Sequence, residues 1–429
     1  MKILILIPAV VIVMAMPLHA AESLDPNFPV TLTDYVRAAM ANNAGLQSRF
    51  SEYKAALAQV PQARALDDPM FTYGYFIEEV ETRVGPQKHR LGLMQRFPWF
   101  GKIEARTDAA AAAARAAGRR FEAARLEVIS KTKAAYFEFA YLAQAVEIAE
   151  NNLELLKHLE QVAQARYRTA AASHPDIVRA QIELAMFEDE YLTLKRKKKP
   201  VVAMVNAVLN QPPEMDLPWP KQEALPTEEL DEAQVIALLV DANPELSAMS
   251  FEIAAARSRA ELAQKRYWPD VTLGIDWIQT DSSRMPNTPG SGRDPVIAMV
   301  TLNLPLWTDS YSAGVQQAQS QAMKTLQTKT QMQSDLASQA SELMFAAEDS
   351  RRKVRLYQDV LIPKAKEMLE VSEQAYRTGA IDFLTLIDAQ RKLLTFELTF
   401  ERTLANHLKS LARLEALVGG QLPAAPEKE

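Results

Sequence analysis

Asp68-Pro69-Met70-Phe71-Thr72-Tyr73-Gly74 and Trp268-Pro269-Asp270-Val271-Thr272-Leu273-Gly274 are two copies of one segment, set 200 residues apart. Farther on, Tyr167-Arg168-Thr169 through Ala180-Gln181 matches Tyr376-Arg377-Thr378 through Ala389-Gln390 at an offset of 209, so nine residues were gained between the two matched regions. A repeat this long exceeds any solenoid unit. It reads as a duplicated half-molecule, whose copies build one pseudo-symmetric subunit.

Around the first copy, Phe71, Tyr73, Tyr75 and Ile77 alternate with Thr72, Gly74 and Glu78; around the second, Val271, Leu273, Ile275 and Trp277 alternate with Thr272, Gly274 and Asp276. This is the period of a strand with one apolar face. A second strand places Leu91, Leu93 and Phe97 opposite Arg90, Gly92 and Arg96, and a fourth runs Val296, Ala298, Val300, Leu302 and Leu304. Apolar on one side and charged or small on the other suits a strand between lipid and water, and roughly ten residues suit a tilted crossing. An antiparallel sheet on a soluble core would show the same alternation. The lipid-facing set is then Phe71, Tyr73, Tyr75, Leu91, Leu93, Val271, Leu273, Ile275 and Trp277; the lumen set is Thr72, Glu78, Arg90, Arg96, Thr272 and Asp276. The strand pairs connect through Glu81 to Pro86 and Thr280 to Asp294, both rich in turn formers. Four strands cannot close a barrel, and lipid tolerates no open edge, so strands that span the membrane require several subunits.

Outside the strands the chain reads as helix. From Lys102 to Thr169 there is one internal glycine, Gly118, and no proline, which as a single helix would be about 100 Å long. The matching stretch from Ser310 to Thr378 contains Gly314 and Pro363, and the proline marks a kink or joint. Shorter helices are expected at 31–66, 176–209, 231–267 and 385–418. Heptads place Ile177, Leu184 and Tyr191, with Ala180, Phe187 and Leu194, on one seam, repeated by Leu386, Leu393 and Phe400 with Ala389, Phe396 and Thr403. The long helices repeat at Ala134, Tyr141, Ile148, Leu155 and Val162, and at Ala347, Val354, Leu361, Met368 and Ala375. Coiled-coil hairpins follow, turning at Thr169 to Pro175 and at Thr378 to Asp382.

The N-terminus has Lys2, an apolar run from Ile3 to Met16 and a small-residue end, as a signal peptide does; an uncleaved anchor is the other reading. The expected division is signal peptide 1–21, first repeat 22–210, linker 211–229, second repeat 230–418 and polar tail 419–429. There is no cysteine, hence no disulfide, thiolate site or acylated cysteine. A net charge of −6 with interspersed signs leaves no nucleic-acid footprint. The basic run Lys195-Arg196-Lys197-Lys198-Lys199 reads as a solvated helix end, with membrane-surface or partner contact as the alternative. His89, His158, His174 and His407 have no metal-ligand spacing, and no catalytic triad or phosphate loop is present, so neither enzyme nor cofactor is implied.

With these residues the chain resembles the outer-membrane efflux protein family of TolC-like factors, through the order helix, two strands, long helix, short helix written twice. The junction Phe97-Pro98-Trp99-Phe100-Gly101-Lys102 and Tyr376-Arg377-Thr378-Gly379 leading to Leu386-Ile387-Asp388-Ala389-Gln390 also carry it. The Gly-Lys junction is similar to the heavy-metal-efflux branch. The resemblance implies a homotrimer whose twelve strands close one outer-membrane barrel above a periplasmic α-helical tunnel. It further implies a periplasmic adaptor and an inner-membrane pump of RND or ABC type as partners. A periplasmic gate is implied at Asp176, Tyr376 and Asp388, with Thr385 standing where a second gate aspartate is expected. On the residues alone, Asp388 could equally solvate a helix face or pair with Arg391, and Asp176 could cap a helix. The competing function is a periplasmic coiled-coil adaptor or tether without a pore.

Overall fold

The computed structural model describes residues 31–170, 172–226 and 230–422. The signal-peptide segment and most of the polar tail lie outside them. Along the chain run α1 (Leu32–Asn42), α2 (Ala44–Arg64), β1 (Met70–Thr82), β2 (Gly85–Phe97), α3 (Lys102–Arg168), α4 (His174–Arg196) and α5 (Lys198–Leu209). The second copy has α6 (Glu232–Ala242), α7 (Pro244–Gln264), β3 (Val271–Thr280), β4 (Val296–Leu302), α8 (Thr308–Leu356), α9 (Ile362–Thr378) and α10 (Phe383–Val418). No helix of the described residues is long and apolar enough to cross a membrane.

α3 is one unbroken helix of 67 residues, as its composition predicts. It packs against α2, α4, α7 and α10, so it is the spine of the subunit. Its lone glycine has a packing reason: a Cβ at Gly118 would stand 3.0 Å from the Tyr53 ring of α2. The helices preceding the strands differ from expectation, because each is split by an asparagine. Asn43 and Asn243, 200 residues apart, cap the following helix by accepting from the Leu46 and Leu246 amides at 2.9 Å. The helix after α3 also divides, at Lys197.

Pro363 does mark a joint. The five residues Tyr357–Leu361 form a π-turn between α8 and α9, and the proline sits in the first turn of α9, where its missing N–H costs least. That turn inserts one residue into the heptad count. Ala347 and Val354 are buried as predicted, but beyond the π-turn the buried row is Leu369 and Tyr376 rather than Met368 and Ala375. In α3 the deep row is likewise one residue on from the expected one: Ala135, Leu142, Ala149, Leu156 and Ala163 are buried, and Tyr141, Ile148, Leu155 and Val162 flank them. Neighbours on several sides of α3 give it a seam wider than a two-helix coil requires. The short-helix seam stands, with Ala180, Phe187, Leu386, Ala389 and Leu393 inside the cluster that joins the two hairpins.

The four strands make one antiparallel sheet in the order β1-β2-β3-β4, with β1 and β4 as open edges. The β1–β2 connection is tighter than expected, since the strands run on to Thr82 and Gly85 and leave only Arg83 and Val84 between them. Gly85 takes φ 133°, and a Cβ there would collide with the Asp281 carbonyl. The long β3–β4 loop lies back over this turn, with Asp281 N donating to the Pro86 carbonyl at 2.9 Å and Gly292 N to the Val84 carbonyl at 2.8 Å.

Candidate functional site

The sheet has two chemically distinct faces, which the registers assign residue by residue. Phe71, Leu93, Ile275 and Ala298 stand in one cross-strand row, and Tyr73, Leu91, Trp277 and Val296 in the next. Most of this face is uncovered: Phe71 is 69% exposed, Tyr75 61% and Ile275 52%, while Leu91 and Val271 are half-buried. Exposed apolar rows of this extent mark a contact surface rather than a solvated one. On the opposite face Thr72, Gly92, Asp276 and Ile297 form a row, beside Met70, Met94, Gly274 and Met299. Arg90 Nε donates to Asp276 Oδ2 at 2.7 Å across Gly92, where a Cβ would stand 2.5 Å from the carboxylate. A side chain at Gly92 would therefore block the ion pair.

One part of the alternation fails. Between Tyr75 and Val80 the β1–β2 register shifts, because five steps along β1 face two along β2. The bulge interrupts the period of two, so Ile77 and Glu78 take no face from the ladder. Glu78 is exposed and unassigned to the inner row.

Where strands meet long helices, Asp270 gathers a staple that sequence reasoning missed. Its carboxylate accepts from Lys102 Nζ at 2.7 Å, from the Trp99 amide at 3.0 Å and from Arg96. Lys102 Nζ also donates to the Trp268 carbonyl at 2.8 Å, and the rings of Trp99 and Trp268 stack 5.4 Å apart, 7° from parallel. Burial alone would raise the Asp270 pKa; the bonds from Lys102, Arg96 and Trp99 outweigh it and hold the carboxyl down to about 2. Arg96, expected to face a lumen, is thus half committed to this staple. The available signal was the mismatch of Met70 with Asp270 in the duplicated segment.

At the other end the two hairpins turn side by side. Tyr376 is 1% exposed, packed edge-on to Phe383 at 5.5 Å. Its counterpart Tyr167, at the offset of 209, is 44% exposed. Burial pushes the Tyr376 phenol pKa up, and the negative Asp176 adds to the shift. Asp176 accepts from the Ser173 amide at 3.2 Å, so its helix-cap role is real. In the second copy the same two positions exchange chemistry: Asp382 is the cap, accepting from Thr385 N at 2.9 Å and from Thr385 Oγ1 at 2.6 Å. The Thr385 hydroxyl, with its amide and the positive Arg179, holds the Asp382 carboxyl below its usual range. Asp388 is exposed and pairs with Lys392 at 3.1 Å; Arg391, its expected partner, instead reaches Glu183 of α4, with Nε at 3.2 Å. No group of His, Asp and Glu among the described residues is arranged to hold a metal.

An open sheet of duplicated hairpins above paired helical hairpins matches known proteins. The family model "Outer membrane efflux protein" matches residues 35–210 and 235–420, most of the chain and both halves. The chain belongs to the outer membrane efflux protein family. It is therefore an outer-membrane channel component for efflux, reaching into the periplasm, and not an enzyme; the adaptor reading is unsupported. Nodulation protein T of Rhizobium leguminosarum bv. trifolii is 22% identical over 92% of this chain and 86% of its own length. The cobalt-zinc-cadmium resistance protein CzcC of Cupriavidus metallidurans is 19% identical over 91% and 90%. Among solved structures, CusC superposes with a TM-score of 0.77 at 15% identity, covering 93% of this chain and 96% of that one. VceC of Vibrio cholerae gives 0.74 at 18%, covering 91% and 96%. These structures share the fold.

Proposed function

We propose that this chain is the exit duct of a tripartite export system, assembled as a homotrimer in which three four-stranded sheets close one barrel. The single observation that carries the reading is the pair of open edges, β1 and β4, on a sheet whose outer rows are exposed and apolar. In lipid each edge must find a partner, and a second copy supplies β4 to β1. The rows of Phe71, Tyr73, Leu93, Ile275 and Trp277 then face lipid, with Tyr75, Leu91, Val271 and Leu273. Thr72, Thr272, Arg90 and Asp276 line the lumen.

The helical hairpins continue the duct, and their tips form the gate, with Asp176, Tyr376 and Asp388 around it and Thr385 holding the cap beside it. A three-fold ring of Asp388 carboxylates attracts cations to the entrance. A periplasmic adaptor docks on the tips and an inner-membrane pump, of RND or ABC type, supplies the energy. The first repeat ends near residue 210 and the second begins near 230, after export by a signal peptide at 1–21 and without cysteine lipidation. Relatives are named for metal resistance, nodulation and pyoverdine export, so cargo follows the pump, with metal ions, drugs and other small molecules all open to this duct.

The test uses the absence of native cysteine. Single cysteines at Tyr75 and Ile275 should resist a water-borne thiol reagent in proteoliposomes, while cysteines at Thr72 and Thr272 should react; equal labelling of both sets would refute the barrel. In planar bilayers, Tyr376→Phe combined with Asp176→Ala should raise single-channel conductance.

A further inference from the structure

Arg166, in the last turn of α3, is placed against three parts of the opposite hairpin. Its Nη1 donates to the backbone carbonyl of Tyr376, and its guanidinium lies 4.5 Å from the centre of the Tyr376 ring. It also covers the turn, since a Cβ at Gly379 would meet Arg166 Nη2 at 3.2 Å. The Tyr376 carbonyl already accepts from the Gly379 amide at 3.0 Å, and the Ala380 amide donates to the Ala375 carbonyl at 2.8 Å. These carbonyls are the negative end of α9, where a cation is favoured. A planar guanidinium can stack and donate together, which an ammonium cannot.

The duplication sharpens this placement. At the offset of 209 the counterpart of Arg166 is Ala375, while the buried Tyr376 corresponds to the exposed Tyr167. Only one copy carries the cation and only the other copy carries the buried ring that receives it. The contact therefore runs one way, from the α3–α4 hairpin to the α9–α10 hairpin.

We propose that Arg166 is the positioning residue of the gate: it clasps the end of α9 to α3 and holds Tyr376 in its closed, buried rotamer. The proposal rests on the reading of these tips as a gate. Opening separates the two hairpins, so the stack and the carbonyl bond break together. The clasp predicts that the ring face and the backbone carbonyl together carry the closed state, so removing the ring in Tyr376→Ala should raise conductance.

The experiment is single-channel recording of the purified trimer in planar bilayers, with heat resistance in detergent as the check of assembly. Arg166→Met should raise conductance several-fold, and Arg166→Lys, which keeps a donor but not the flat stack, should fall between. Adding Arg166→Met to Tyr376→Ala should raise conductance by clearly less than the two single effects combined, because the stack is already lost and only the carbonyl bond remains to break; a fully additive rise would mean a merely structural role and would overturn the clasp. Should the methionine variant fail to assemble, Arg166→Lys carries the same test at smaller amplitude. If Tyr376→Phe with Asp176→Ala opens the channel while intact Arg166 variants do not, the clasp is wrong and the gate stands. If neither opens it, the gate is not at these tips.

Discussion

Asp270→Ala should loosen the joint between the sheet and the long helices by about 3 kcal/mol. The carboxylate, 6% exposed, serves Lys102, Trp99 N–H and Arg96. Arg96 is 54% exposed on its side chain, so water screens its share and replaces much of it. Lys102, at 13%, loses a charge-assisted bond worth roughly 2 kcal/mol, and the Trp99 amide loses one worth about 1 kcal/mol. Lys102 keeps its bond to the Trp268 carbonyl, which limits the damage.

The same bonds act through the carboxyl pKa. A carboxyl held at about 2 against its usual 3.8 corresponds to about 2.5 kcal/mol at roughly 1.4 kcal/mol per unit. Because the folded value is the lower one, this stability is fully present above about pH 4 and is lost as the pH falls toward 2. The assay is amide hydrogen exchange at Lys102, whose N–H donates to the Trp99 carbonyl at 3.0 Å, in the detergent-solubilised protein at neutral pH. Local opening should accelerate roughly a hundredfold in Asp270→Ala and about tenfold in Asp270→Asn, which keeps an acceptor without the charge. Acceleration below about threefold in a correctly assembled Asp270→Ala would refute the reasoning, since the staple would then be idle.

Three further outcomes are expected. Glu401, 9% exposed, has its pKa raised by burial against the bond from Gln222 at 2.8 Å, so its cost to folding appears as pH rises above about 4.5; Glu401→Gln should raise the melting temperature at pH 7.5, by roughly 1 kcal/mol of stability, and not at pH 4. His407 is buried and its Nδ1–H donates to the Ala347 carbonyl at 2.9 Å, so burial lowers its pKa from 6.5; α8–α10 packing should weaken as pH drops below that value, and His407→Leu should flatten the profile in a pH series of thermal melts. Gly379 has φ 86°, so Gly379→Ala should cost about 1 kcal/mol and speed exchange of the Ala380 amide; an unchanged rate would mean that the turn is not held in this conformation.

Much of this architecture was legible in the chain because period and composition are local properties. The unbroken α3, the joint at Pro363, the strand faces and the duplicated order all follow from spacing and from where glycine and proline stand. Registers failed where a local insertion changed the count. The π-turn at Tyr357–Leu361 moved the buried row onto Leu369 and Tyr376, and the bulge after Tyr75 removed the assignment of Glu78. Neither insertion leaves a signature in apolar spacing, since each is set by what the helix or strand packs against.

The sequence by itself determined two copies, long paired helices, four amphipathic strands and an acidic, cysteine-free composition. Those properties need only neighbours along the chain. Tertiary structure decided the pairings: Asp270 with Lys102, Asp276 with Arg90 across Gly92, and Arg166 with Tyr376. Each joins residues more than 150 positions apart, and charge or aromatic type does not say which of many possible partners will be brought within 3 to 5 Å. Only the docking of one half against the other selects them, and it does so asymmetrically, which is why identical ancestral segments now hold different chemistry.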